Sequence, residues 1–313
     1  MSIRGDEGKV YTWLMAGDPS IRWQVLRDLL GVDENTITQE RRKIWTEGWG
    51  AKLLSYQDAS GRWGGQLYNN KWLSTTYSLL LLRQMGLEPN NQQAYRACKE
   101  LLVGGFQQSG GISYARSLAT IDNGVTGMIL SLLAYFGYPD ERIHIIAEYL
   151  LDQQMSDGRW EPVPGNQHLK YTLDTVNLIL DGLNEYETRY PYQSIKIMQA
   201  QGRGREFLLR YKLYKSAQTG EEIDKKITLL SFPPRWHYDI LFALDYFQGC
   251  RAERDVRLLD AIRVLEKKRN PDGTWNLQNR HAGKTFFEME QVAKPSRWNT
   301  LRALRVLKWW NAD

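Results

Sequence analysis

Cysteine is scarce in this chain. Cys98 and Cys250 are the only two, far apart and in no C-x-x-C spacing. That excludes a disulfide-stapled scaffold and a thiolate metal knuckle. Each thiol reads as a small buried residue on a helix, which fits a reducing compartment. Histidine is scarce too, with four copies, so an imidazole metal centre has little to draw on. No stretch reaches the ~18 apolar residues of a membrane-spanning helix. The opening Met1-Ser2-Ile3-Arg4-Gly5-Asp6-Glu7 lacks the apolar core of a signal peptide. The cytoplasm is the expected location, with contact to a membrane surface left open by the basic, aromatic-rich composition. A concentrated basic stripe is also missing. Net charge is +5, but the cations are scattered, with short clusters only at Arg41-Arg42-Lys43 and Lys267-Lys268-Arg269. Nucleic-acid binding wants a stripe, so no nucleic-acid partner is expected. There is no phosphate loop, no Asp-Asp-x-x-Asp and no G-x-S-x-G.

What is abundant is the large aromatic side chain, with 12 Trp and 17 Tyr in 313 residues. These rings join an apolar body to one polar handle, and suit ring cores and wet cavities. A turn motif recurs: Gln57-Asp58-Ala59-Ser60-Gly61-Arg62-Trp63, Gln154-Met155-Ser156-Asp157-Gly158-Arg159-Trp160, and Arg269-Asn270-Pro271-Asp272-Gly273-Thr274-Trp275. Gln107-Gln108-Ser109-Gly110-Gly111-Ile112 is a degenerate copy. The glycines are spaced 110−61 = 49, 158−110 = 48 and 273−158 = 115 residues apart. The last gap holds two periods and an insertion, so a worn copy is expected near Ser216-Ala217-Gln218-Thr219-Gly220. In each copy a helix ends in Gln, a Gly turn tolerates φ > 0, and Trp packs back over the helix end.

Apolar spacing at i, i+3, i+4 and i+7 predicts six helix pairs. First helices are expected at 9–16, 39–55, 91–104, 141–154, 195–215 and 255–268. They are amphipathic. Second helices are expected at 18–30, 74–86, 122–136, 172–186, 235–247 and 296–309. Several are apolar nearly all round, as in Ser78-Leu79-Leu80-Leu81-Leu82, and such helices are buried. The expected fold is therefore all-α: one α/α toroid over residues 1–313, with six inner and six outer helices in a single barrel. The competing arrangement is an open helical solenoid, which would need capped ends.

At the Gln-x-x-(Asp/Ser)-Gly-x-Trp copies the chain resembles the terpenoid-cyclase and protein-prenyltransferase superfamily, whose squalene-hopene cyclases carry similar repeats. The resemblance implies a toroid acting on or binding an isoprenoid or similarly apolar small molecule. Squalene cyclases carry an Asp-x-Asp-Asp-Thr-Ala-like motif at an inner helix start. The matching stretch is Tyr171-Thr172-Leu173-Asp174-Thr175-Val176. Asp174 matches the last acid, and Leu173 stands where the resemblance implies the proton donor. Prenyltransferases imply zinc and a helical partner subunit. Here only His237-Tyr238-Asp239, with His168 or His281, offers ligand types, so no cofactor is expected, and zinc or magnesium has thin support. A partner subunit stays unknown.

Ligands in such a ring are expected near the N-terminal ends of the inner helices, where free N–H groups favour anions. Asp174, Asp239 oriented by His237, and Asp122 are the acid–base candidates there. Trp23, Trp72, Tyr171, Trp236, Tyr238 and Trp298 are the expected cavity lining. Arg235 and Arg297 are the expected holders of a diphosphate or carboxylate. N-capping explains Asp18, Ser74 and Ser296. Toroids of the glycosidase and polysaccharide-lyase kind also line a cleft with Trp and carboxylates, and a non-catalytic binding scaffold is a third alternative. The loop at 161–168 is expected to cover the mouth.

Overall fold

The computed structural model describes residues 5–115, 120–163, 168–191 and 194–312. Almost all of its regular secondary structure is helical. The helices are α1 (Gly5–Met15), α2 (Pro19–Gln24, running on as a π-helical stretch Val25–Leu30), α3 (Glu34–Arg42) and α4 (Gly48–Leu54). There follow α5 (Thr75–Met85), α6 (Gln92–Gly105), α7 (Asn123–Phe136), α8 (Arg142–Asp152) and α9 (Leu169–Arg189). The last are α10 (Ser194–Arg210), α11 (Ile240–Gly249), α12 (Leu259–Lys267) and α13 (Arg297–Trp310). A two-residue antiparallel ladder, Trp275–Asn276 on Pro295–Ser296, is the one sheet among the described residues. None of the described helices is long and apolar enough to cross a membrane.

The second helix of each pair is the buried one. Every residue of α7 except Tyr135 is buried, as its all-round apolar sequence requires. Inner helices pack in a cyclic order: α5 on α7, α7 on α9, α9 on α11, α11 on α13, and α13 on α2. Hydrogen bonds close the remaining gap, from Trp23 Nε1 to Met85 O (2.8 Å) and from Gln24 Nε2 to Gln84 O (3.2 Å). The order is a ring, not an open solenoid. Gly124 faces Thr175 and Gly127 faces Ile179 at α7–α9, and Arg305 meets Gln24 while Lys308 meets Asp28 and Leu29 at α13–α2, so these neighbours run parallel with their N-termini at one end. Joint α7–α9 is the tightest. A Cβ on Gly127 would meet the backbone of Ile179 and Leu178, and one on Gly182 the carbonyl of Gly127.

The repeat motif is a staple with two arms. Trp63, Trp160 and Trp275 are fully buried, and each donates its indole N–H to a carbonyl ten residues earlier: Leu53 (2.7 Å), Leu150 (2.6 Å) and Leu265 (2.7 Å). Gln57 donates its amide to Gly61 O and Gln93 O, and Gln154 to Gly158 O and Ala200 O. The glutamine thus ties its turn to the next outer helix rather than to the helix it ends. Gly61, Gly110, Gly158 and Gly273 all have φ between 84° and 98°, the left-handed region that makes glycine necessary. The fifth copy keeps Gly220 at φ 72° but has neither Trp nor clamp.

Among the helix boundaries that depart from expectation, two have a clear cause. The helix expected at 39–55 is two, α3 and α4. Gly48 at φ 67° breaks it, and a side chain there would strike the Asp18 carboxylate. That carboxylate caps α2 through Ser20 N–H and also accepts Trp49 N–H (2.8 Å). The helix expected from 235 begins at Ile240, because Arg235 is left-handed at φ 62° and Asp239 caps the first turn through Phe242 N–H. Residues 231–238 instead lie across the N-terminal end of the ring. Of the loop at 161–168, residues 164–167 lie outside the described residues.

Candidate functional site

Asp174 sits in the second turn of α9, because that helix starts three residues before the expected 172. Its side chain is buried, at 3% exposure. Oδ1 accepts the Tyr238 backbone N–H at 2.6 Å, and Oδ2 is buried without a hydrogen-bond partner. Burial disfavours the charged form and pushes the carboxyl up to about 7, against a smaller pull from the Tyr238 N–H and from Lys170. A cavity of about 250 Å³ opens beside it, lined by Tyr68, Asp122, Tyr171 and Trp236 and floored by Val125, Met128 and Leu178. The Tyr171 and Trp236 rings are 6.3 Å apart. Asp122 caps α7 through Val125 N–H (3.0 Å), and burial raises its carboxyl as well. Asp174, Asp122, Tyr171 and Trp236, separate in sequence, thus share one pocket.

The other candidates lie elsewhere. Asp239 is 1% exposed and fully engaged: Oδ1 accepts Phe242 N–H, and Oδ2 accepts the N–H and hydroxyl of Ser231. It is a helix cap that also holds the 231–238 segment. His237 does not orient it. That imidazole is stacked between Trp236 (3.8 Å) and His281 (4.1 Å), and burial with nearby cations lowers it to about 3. Tyr238 serves Asp174 through its backbone, and its own hydroxyl is buried without a partner. Trp72 bonds the carbonyls of His281 and Ala282. Arg297 points away from the ring centre, donating to Trp13 O and lying over the Trp13 ring. Ser74 stands at the cap position of α5, yet its hydroxyl caps nothing and is buried unpartnered. Ser296 caps α13 as expected, helped by Glu290, which accepts Arg297 N–H at 2.7 Å. Among the described residues no three His, Cys, Asp or Glu gather as a metal site.

Several solved structures are similar to the chain in outline. A protein from Actinoplanes shares 14% identity, with a TM-score of 0.49 over 95% of this chain and 91% of that one. A type II terpene cyclase from Scytonema, MstE, shares 15%, with a TM-score of 0.45 over 93% and 88%. A variant of that cyclase holding geranylgeranyl dihydroxybenzoate shares 16%, with a TM-score of 0.42 over 93% and 86%. No family model matches the chain, and no curated protein does. Likenesses this distant assign neither family nor chemistry, which rest on the residues themselves.

The ring centre holds a second, larger cavity of about 550 Å³. Phe232, Pro234, Arg235 and Trp298 close it at the N-terminal end of the helices. Exposed Thr188, Arg189 and Gly249 mark its opening at the other end, opposite to where a mouth was expected. Trp23 lies at that open end, its ring facing the guanidiniums of Arg27 (4.4 Å) and Arg41 (4.9 Å). A belt of ion pairs crosses the wall. Arg83 of α5 holds Asp181 of α9 with two bonds of 2.6 Å, reaches Glu185, and bonds Ser131 of α7. Asp245 of α11 holds Arg302 and Arg305 of α13, and Arg305 reaches Gln24 and Asp28. Sequence reasoning passed over this belt. The signal was there: a charge amid apolar residues of a buried helix, as in Leu82-Arg83 or Leu180-Asp181, needs a partner.

Proposed function

We propose that the Asp174 pocket takes the end of an apolar, isoprenoid-type chain, and that Asp174 acts there as a general acid toward an alkene carbon. One observation carries this reading: a carboxyl with one oxygen fixed by a backbone N–H and the other unpartnered, held near half-protonation at neutral pH beside aromatic rings. A general acid works best with a pKa near the operating pH. The N–H on Oδ1 leaves Oδ2 as the oxygen that carries the proton. Its transfer to an alkene leaves Asp174 as carboxylate and the substrate as a carbocation, which the faces of Tyr68, Tyr171 and Trp236 stabilise by cation–π attraction. The Val125, Met128 and Leu178 floor keeps water from the cation. The proton that the product finally releases restores the acid. The pocket is smaller than the roughly 300–1,000 Å³ of sites that enclose a whole ligand, so it suits a chain terminus.

The test is incubation with farnesyl and geranylgeranyl substrates in D2O. Deuterium on carbon in a cyclised or isomerised product, lost in Asp174→Asn, supports the reading. No turnover and no thermal stabilisation by any isoprenoid would sink it. The presence of Asp122 and Asp174 in one aromatic pocket favours a second reading, a carbohydrate enzyme using a carboxyl pair. Stabilisation by oligosaccharides instead of isoprenoids would select it.

A further inference from the structure

The Tyr238 N–H, the donor that fixes Asp174 Oδ1, belongs to a loop whose two ends are tied together. Asp239, the next residue, accepts the Ser231 N–H (3.1 Å) and the Ser231 hydroxyl (2.7 Å) on Oδ2, so one carboxylate oxygen closes residues 231–239 into a loop. Its other oxygen caps α11 through Phe242 N–H at 2.7 Å. The clasp is buried, with Ser231 and Asp239 each 1% exposed. Arg302 of α13 backs it from outside the loop, donating to Ser231 O (3.3 Å) and to Asp245 (3.1 Å). Between its ends the loop is pinned by rings: Phe232 stacks on Trp298 at 4.1 Å, and His237 on His281 at 4.1 Å. Arg235 lies 5.0 Å over the Trp72 ring with its backbone at φ 62°. A non-glycine residue keeps such a backbone only where its surroundings hold it. This is more restraint than a cap for α11 requires, since one side-chain oxygen on Phe242 N–H supplies that alone.

We propose that Asp239 and Ser231 are positioning residues for the acid, their clasp holding the Tyr238 N–H against Asp174 Oδ1 and so reserving Oδ2 for the proton. The inference rests on the reading of Asp174 as a general acid. A hydrogen bond to the charged form of a carboxyl lowers its proton affinity. Burial acts the other way on Asp174, and without the N–H the carboxyl would hold its proton further above neutral pH. The N–H lies one residue from the clasp, so slack between Ser231 and Asp239 reaches it directly. The charged and titratable groups facing Asp174 among the described residues are Lys170 on its own helix, Asp224, Asp122 on α7, and the phenols of Tyr68, Tyr171 and Tyr238. Lys170 pairs with Asp224 at 3.0 Å, and the two act on Asp174 in opposite directions. Asp239 itself faces Arg302 and Lys268.

The test is a carbon-13 titration of the Asp174 carboxyl in the full chain, read as the difference from Asp174→Asn, in wild type and in clasp variants. Ser231→Ala removes the hydroxyl arm and leaves the α11 cap. Asp239→Ser keeps a good cap and is too short to bridge to Ser231 as well. Losing a hydrogen bond to a charged group raises proton affinity about tenfold or more. The Asp174 midpoint should therefore climb from about 7, by about 0.5 pH unit in Ser231→Ala and about one pH unit or more in Asp239→Ser. Ser231→Thr keeps the hydroxyl and should titrate as wild type, a contrast that a purely structural clasp would not produce. If Asp239→Ser does not fold, the pair Ser231→Ala and Ser231→Thr decides the question. Midpoints within about 0.2 pH unit of wild type in the clasp variants overturn the proposal and leave the acid reading standing. A wild-type midpoint near the ordinary carboxyl value of about 4 overturns the acid reading, and the proposal with it.

Discussion

Replacing Asp174 by Asn makes the clearest quantitative demand on the site. The native carboxyl titrates at about 7, while an unfolded Asp titrates at about 3.9. Between those pH values the folded protein holds a proton that the unfolded chain has released. Native stability therefore falls as pH rises through this window. About three units at about 1.4 kcal/mol each gives a ceiling near 4 kcal/mol, fully felt above pH 7. Asn has nearly the same shape, its carbonyl can accept the Tyr238 N–H, and it does not ionise. At pH 4 the two proteins should agree within about 1 kcal/mol, roughly the net value of one hydrogen bond, and at pH 5 the variant should already lead by about 1.5 kcal/mol. At pH 8 the variant should be more stable by about 2–4 kcal/mol. Urea unfolding at pH 4, 5, 6, 7 and 8, with m-values compared to confirm a common exposed surface, measures the divergence. A difference that stays flat with pH, or wild type gaining on the variant as pH rises, would show the carboxylate to be well solvated and remove the basis for an acid at Asp174.

The belt and the staples invite further substitutions. Arg83→Met leaves Asp181 and Glu185 without their cation, and should cost about 3 kcal/mol at pH 7, read as a lower urea midpoint. Part of that loss should return toward pH 5, as the Glu185 carboxyl, already raised by burial, takes up a proton. Trp160→Phe removes the donor to Leu150 O, a buried acceptor, and should cost about 1–3 kcal/mol; a loss under about 0.5 kcal/mol would mean that the staple does not hold its turn. Gly127→Leu pushes α7 off α9 and should cost about 3 kcal/mol by overpacking, seen as a lower thermal midpoint and a change in near-ultraviolet circular dichroism.

Much of the ring was legible because its signals are local. The 49- and 48-residue glycine spacing marked the staples, and the all-round apolar stretches marked α5 and α7 as inner helices. Asp18 and Ser296 were readable as caps, since their bonds reach only two and three residues ahead; Ser74, expected to be a third, caps nothing. The misreadings came from contacts local pattern does not carry. Gly48 breaks the 39–55 helix because Asp18, thirty residues earlier, needs the space. Arg297 was placed at the centre by its position at a helix start, but its side chain follows α1. Asp239 shares the sequence neighbourhood of a plausible acid, and only the return of Ser231 across the ring end satisfies it. The open end of the cavity was misjudged because the Pro233-Pro234 segment covers the opposite one, and nothing in its composition says where it lies.

The seam between the first and last inner helices joins residues 281 apart at Arg305 and Gln24, and 280 apart at Lys308 and Asp28. A ribosome has therefore released almost the whole described length before α2 meets the neighbour that covers it. Until then Gln24, Asp28 and Leu29 lack their partners on α13, while the joints from α5 to α11 can form one after another as the chain emerges. Maturation of this molecule is thus a circle drawn from the middle outward, with its last stroke reserved for the two elements synthesised furthest apart in time.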